Sequence, residues 1–86
     1  MDTIAINSRV YGEYGKGGRI RVEVDTIQDG ISAWTKEFHD ARDIQNLLLG
    51  LAPAETAKIT DFITRTVNFG EGHVVISCEE ASWQMT

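Results

Sequence analysis

From Arg19 to Asp25 the chain alternates without interruption, with Ile20, Val22 and Val24 on one side of an extended backbone and Arg19, Arg21, Glu23 and Asp25 on the other. Alternation with period two predicts a half-buried strand, running to about Ile27, in an antiparallel sheet that keeps one face wet. An earlier strand is predicted from Thr3 to Tyr14, where Ile4 and Ile6 alternate with polar neighbours until "RVYGEYGKGG" disturbs the pattern. Gly15, Gly17 and Gly18 are expected to supply the positive φ values of the turn that follows.

Asp29-Gly30 predicts a hairpin into a third strand, Ile31 to Phe38. The loop length decides the face of Trp34, because a one-residue slip turns every side chain over. A loop of Asp29-Gly30 alone sets Trp34 opposite Asp25 on the charged face. A Gln28-Asp29-Gly30 loop pairs Val24 with Trp34 and Ile20 with Phe38, and is the expected one because it buries the aromatics.

Beyond Phe38 the period lengthens. Asp40 reads as a helix N-cap with Asp43 three residues on, and Ile44, Leu47, Leu48 and Leu51 recur at helical spacing until Gly50 and Pro53 interrupt, giving a helix over 41–49. Pro53 suits the first turn of a second helix, whose stripe of Ile59, Phe62, Ile63 and Val67 ends near Asn68-Phe69-Gly70. "GHVVISCEE" predicts a fourth strand with Val74, Ile76 and Cys78 on one side, and "ASWQMT" a tail or short edge segment. The order β-β-β-α-α-β predicts a single α+β domain over 1–86, in which an antiparallel sheet of about four strands carries both helices on one face. Ile44, Leu47, Leu48, Ile59, Phe62 and Ile63 are expected to pack on Ile20, Val22 and Val24.

Composition narrows what such a domain does. A chain of 86 residues buries only about 60–65% of its unfolded surface, enough for one thin core without a deep cleft, so an enzyme is not expected. With 13 acidic and 8 basic side chains the net charge is −5, opposite in sign to the footprint of a nucleic-acid binder. A basic protein partner fits that sign, as does mimicry of nucleic acid. Cys78 stands alone, so neither a disulfide framework nor a zinc cluster is indicated, and a reducing cytoplasm is expected. No apolar run approaches the ~18 residues of a membrane span, and "MDTIAINSR" lacks the form of a secretory signal.

Candidate chemistry is sparse. The glycine-rich "YGEYGKGG" leads into a strand, whereas a P-loop lysine must enter a helix, so the segment reads as a turn. His39 and His73 have no ligand-like spacing with Cys78 or a carboxylate, Cys78 alternates with Val74 and Ile76 as a packed thiol does, and Glu79-Glu80 point to opposite faces. No catalytic residue, metal or cofactor is expected. Tyr11 and Tyr14 beside flexible glycines have the character of interface anchors. The charged comb reads either as a solvated face held by cross-strand ion pairs or as a docking surface. The candidate binding set is therefore Tyr11, Tyr14, Arg21, Glu23, Asp25 and Trp34, the face that Trp34 takes being set by the hairpin register.

The segment "YGKGGRIRVEVDTIQDGISAWTKEFHDARDIQNLLLGL", Tyr14 to Leu51, resembles the first-described family of type I-F anti-CRISPR proteins, small phage products with a four-stranded antiparallel sheet and two helices. The likeness lies in Tyr14 before a glycine turn, the Ile20–Val24–Asp25 strand, the Gly30 hairpin, Phe38 closing the third strand, and an apolar helix that ends at Gly50-Leu51 before a second helix. It implies a non-enzymatic inhibitor, acting in the host bacterial cytoplasm, that binds the repeated backbone subunits of the guide-RNA surveillance complex and obstructs target-DNA hybridisation. It implies further that the contact surface is the open sheet face, with Tyr14 matching a family tyrosine and Asp25 standing where the family has a glutamate. A second family tyrosine nearer the N-terminus has no counterpart, and the pattern departs from Phe69 onward. The expected partner is thus protein, with neither nucleic acid nor membrane bound directly, and the chain a monomer or weak homodimer. The rival expectation is a small accessory or assembly protein, of a phage virion for example, that homodimerises through an edge strand.

Overall fold

The computed structural model describes residues 2–26, 31–51 and 53–78. Three strands, β1 (Asp2–Tyr11), β2 (Arg19–Thr26) and β3 (Ile31–Phe38), lead into α1 (Ala41–Leu51); a 3₁₀ turn (Pro53–Glu55) and α2 (Thr56–Phe69) precede β4 (Glu71–Cys78). The strands form one antiparallel sheet in the order β3-β2-β1-β4, with both helices on one face, the α+β architecture expected. The last strand returns to the far side of the first, which makes β1 central and puts β3 and β4 at the edges of the sheet formed by the described residues.

Alternation decides the layers. Ile4 and Ile6 of β1, Ile20, Val22 and Val24 of β2, and Ile76 of β4 are buried against Ile44 and Leu48 of α1 and Ile59, Phe62 and Ile63 of α2. Ile20 and Val22 have no accessible surface, and Leu47 packs half-buried at the margin of this cluster. Truncating a buried Leu or Phe costs about 2–5 kcal/mol, whereas an exposed ion pair contributes about 0–1 kcal/mol. The helix-facing layer therefore holds the fold, and the ion pairs opposite contribute little to it.

Ile20 pairs with Phe38 and Val24 with Trp34, the register of the three-residue loop, but the ladder slips between Val24 and Asp25 so that Asp25 meets Ser32 and Thr26 meets Ile31. The slip sets an extra residue, Ala33, against β2 as a bulge. The hairpin loop, the side chains of Trp34 and Cys78, and everything from Glu79 onward lie outside what the structure describes.

The connection from β1 to β2 corrects one expectation. Gly12, Gly15 and Gly17 take positive φ, whereas Gly18 is needed for space: a Cβ there would lie 2.6 Å from the Glu13 carbonyl oxygen. That carbonyl accepts the N–H groups of Lys16 and Gly18, and the segment closes around it. At the start of α1 the Asp40 carboxylate accepts the Arg42 N–H at 2.9 Å, the N-cap read from the sequence. Gly70, left-handed at φ 84°, ends α2 and turns the chain into β4.

Candidate functional site

Among the described residues nothing covers the face of the sheet opposite the helices. β2 presents Arg19, Arg21, Glu23 and Asp25 there; β1 presents Ala5, Asn7, Arg9 and Tyr11; β4 presents Glu71, His73 and Val75. The register sets Tyr11 beside Arg19, Arg9 beside both Arg21 and Glu71, Asn7 beside Glu23 and His73, and Ala5 beside Asp25 and Val75.

Most charges on this face are already paired. Arg19 Nη1 lies 3.4 Å from Glu37 Oε2, Arg21 Nε lies 3.4 Å from Glu23 Oε1, and Arg9 Nη2 lies 3.9 Å from Glu71 Oε2. His73 Nδ1–H donates to Asn7 Oδ1 at 2.6 Å. Arg9 and Arg21 are direct cross-strand partners, a like-charge contact that costs stability and is relieved sideways by Glu71 and Glu23. The comb is thus polarised: Arg9, Arg19 and Arg21 cluster at the Tyr11 end, while Glu23 and Asp25 lie toward the other.

Of the candidate residues, Tyr11, Arg21, Glu23 and Asp25 share the open face, with Tyr11 49% exposed. Tyr14 does not join them. Its ring packs half-buried against the core cluster, and its hydroxyl accepts the Ala41 N–H at 3.1 Å, which satisfies an orphan donor at the start of α1. The reason is the glycine connection: with left-handed residues at Gly12 and Gly15 on either side, the backbone leaves the plane of β1 before Tyr14 and delivers it to the helical layer. Trp34 is paired with Val24 in the ladder, and its side chain lies outside what is described.

Sequence reasoning missed Arg9, Asn7, His73 and Val75 as members of this face. The available signal was the alternation in β1, where Ala5, Asn7 and Arg9 occupy the parity opposite Ile4 and Ile6. The place of β4 beside β1 had no such signal. Among the described residues no three His, Cys, Asp or Glu side chains are grouped to hold a metal, and no helix is long and apolar enough to cross a membrane. A hollow of about 710 Å³ beside β4 and α2, reaching Ser8, Asp61, Arg65, Phe69 and Gly72, is open to solvent. Away from both features, Asp40 is held below the usual carboxylate range by its side-chain and backbone hydrogen bonds with Arg42, whose guanidinium is pushed up in turn.

No protein-family model, curated protein or solved structure matches the chain.

Proposed function

We propose that the protein is a non-enzymatic inhibitor that docks on a protein partner through the open face of its sheet, and that the partner is the backbone of a type I CRISPR surveillance complex. The observation that supports docking is the exposure of this face among the described residues: Tyr11 and Val75, 49% and 40% exposed, sit among ion-paired side chains on a surface that the core does not use. The identity of the partner follows from the resemblance over Tyr14 to Leu51 and from the charge of −5, which suits the lysine- and arginine-lined groove of a complex that holds nucleic acid.

The tyrosine available to this surface is Tyr11, since Tyr14 serves α1. Asp25 and Glu23 meet the basic groove, and Tyr11 anchors the opposite end among the arginines. Ion pairs at about 3.4 Å between half-exposed groups exchange partners at little cost, so this face adapts on contact.

The test is copurification with type I surveillance complexes, followed by target-DNA binding by the complex. Tyr11→Ala and Asp25→Lys are expected to lower inhibition more than about tenfold each while leaving the melting temperature nearly unchanged, and Asn46→Ala, at an exposed position of α1, to do little. Equal inhibition by all three variants would sink the sheet-face reading. Failure of the wild-type chain to copurify with any such complex would remove the CRISPR partner.

A further inference from the structure

We infer that β4 is a self-association edge, and that two copies of this chain join through it into one continuous antiparallel sheet of eight strands. The two edges of the sheet are unlike. β3 carries a bulge at Ala33 and the exposed Lys36, features that blunt an edge against pairing. β4, "EGHVVISC", has neither proline nor lysine and keeps an unbroken register with β1 over all eight residues. Among the described residues no strand pairs with its outer side.

Which backbone groups face outward follows from one hydrogen bond. Val10 N–H donates to the Gly70 carbonyl at 2.7 Å, and this pair continues the β1–β4 register, so the Gly70 carbonyl points at β1 and the Glu71 N–H, on the other side of the same trans peptide, points away. Bonded and non-bonded pairs alternate along an antiparallel ladder. Gly72, Val74 and Ile76 therefore also face β1, and Glu71, His73, Val75 and Ser77 direct their N–H and C=O groups away from the sheet. A two-fold axis at Val74 satisfies all four at once, pairing Glu71 with Ser77 of the second copy and His73 with Val75.

The second layer borders the same edge. Gly72, the second residue of β4, lies beneath Phe62 and Thr66, since a Cβ there would meet their atoms at 3.1 and 2.6 Å, so α2 packs over the start of β4. Asp61 and Arg65 border the same edge, 65% and 61% exposed, and are bonded to each other at 2.8 Å. When α2 meets its two-fold mate antiparallel, Asp61 of one copy faces Arg65 of the other, and the reverse, so the charges are self-complementary. A second copy fits every one of these features, whereas an unrelated strand would use the backbone groups alone. The open sheet face stays free in the joined form, and this inference does not rest on the function proposed above.

Sedimentation equilibrium on the purified chain over micromolar to millimolar concentrations is expected to show a monomer–dimer equilibrium. Val75→Pro removes an outward donor without touching the β1 ladder, and should raise the dissociation constant at least about tenfold. Asp61→Arg should do likewise, with the exchange Asp61→Arg together with Arg65→Asp restoring association, because only a reciprocal contact is insensitive to swapping both signs. If Val75→Pro fails to fold, the charge exchange alone decides. A wild-type chain that stays monomeric throughout, or a dimer that the charge variants leave unchanged, overturns the inference.

Discussion

The hydroxyl of Ser8, on the central strand, lies 2.6 Å from that of Thr66, on the second helix, and the two tie the layers together inside a core whose other described side chains are apolar. Thr66 Oγ1 donates to the Phe62 carbonyl at 2.8 Å, which leaves Ser8 to donate to Thr66. Each hydroxyl depends on the other for its place. Thr66→Val leaves the Ser8 hydroxyl with only the Gly72 carbonyl at 3.4 Å, and is expected to cost about 1–3 kcal/mol. Ser8→Ala combined with Thr66→Val removes both members and should cost less than the two single changes added together. Chemical denaturation of the four proteins checks this, and strict additivity would show that the bond carries no coupling.

Gly72 is predicted to tolerate no side chain. Its missing Cβ is the space into which Thr66 Oγ1, Ser8 Oγ and the Phe62 ring close, at 2.6, 3.0 and 3.1 Å from where that atom would be. Gly72→Ala forces a helix and a strand apart, and an overpacked site of this kind costs about 1–3 kcal/mol. Thermal melts should show a clear loss for Gly72→Ala and almost none for an alanine at exposed Asn46.

Tyr14 and Tyr11 should separate stability from binding. Tyr14→Phe keeps the packed ring and loses only the acceptor for the Ala41 N–H, so a loss of about 0.5–1.5 kcal/mol is expected, with partner binding retained. Tyr11→Ala, on the open face, should give the converse. Measuring melting temperature and partner affinity for both variants checks the assignment. A Tyr14→Phe protein of wild-type stability but impaired binding would return Tyr14 to the interface.

Asp40 makes the start of α1 sensitive to acid. Its carboxyl titrates below the ordinary range because the ionised form accepts hydrogen bonds from Arg42. A depressed folded-state value means that the contribution is complete above the unfolded value, about 3.9, and is lost as pH falls through the folded one. Asp40→Asn keeps an N-capping side chain and loses the ion pair. Its deficit against wild type should therefore be constant near neutrality and shrink on the acid limb, and a deficit independent of pH would remove the carboxylate from the explanation. The site is exposed, so the effect is small.

Much of the architecture was legible in the residue order, and the reason is that its signals are local. Alternation in Arg19–Asp25, the Asp40 cap, the spacing of Ile59, Phe62 and Ile63, and Gly70 after Phe69 each report a backbone period or a terminus from within a few residues. The burial of Ile20 and Val22 under the helices followed from the same periods, because an apolar stripe and an apolar sheet face have only each other to cover them. Three outcomes depended on contacts between residues far apart in the chain. The return of β4 to β1 brought Glu71 and His73 to Arg9 and Asn7, more than sixty positions away, and no local pattern encodes which edge a final strand selects. Tyr14 left the charged face because a turn with three left-handed glycines sets a direction in space that spacing along the chain does not carry. Ser8, a polar residue at a core position of β1, made sense only once Thr66 arrived to share its hydrogen bond, since a buried hydroxyl is stable where a partner meets it and costly where none does.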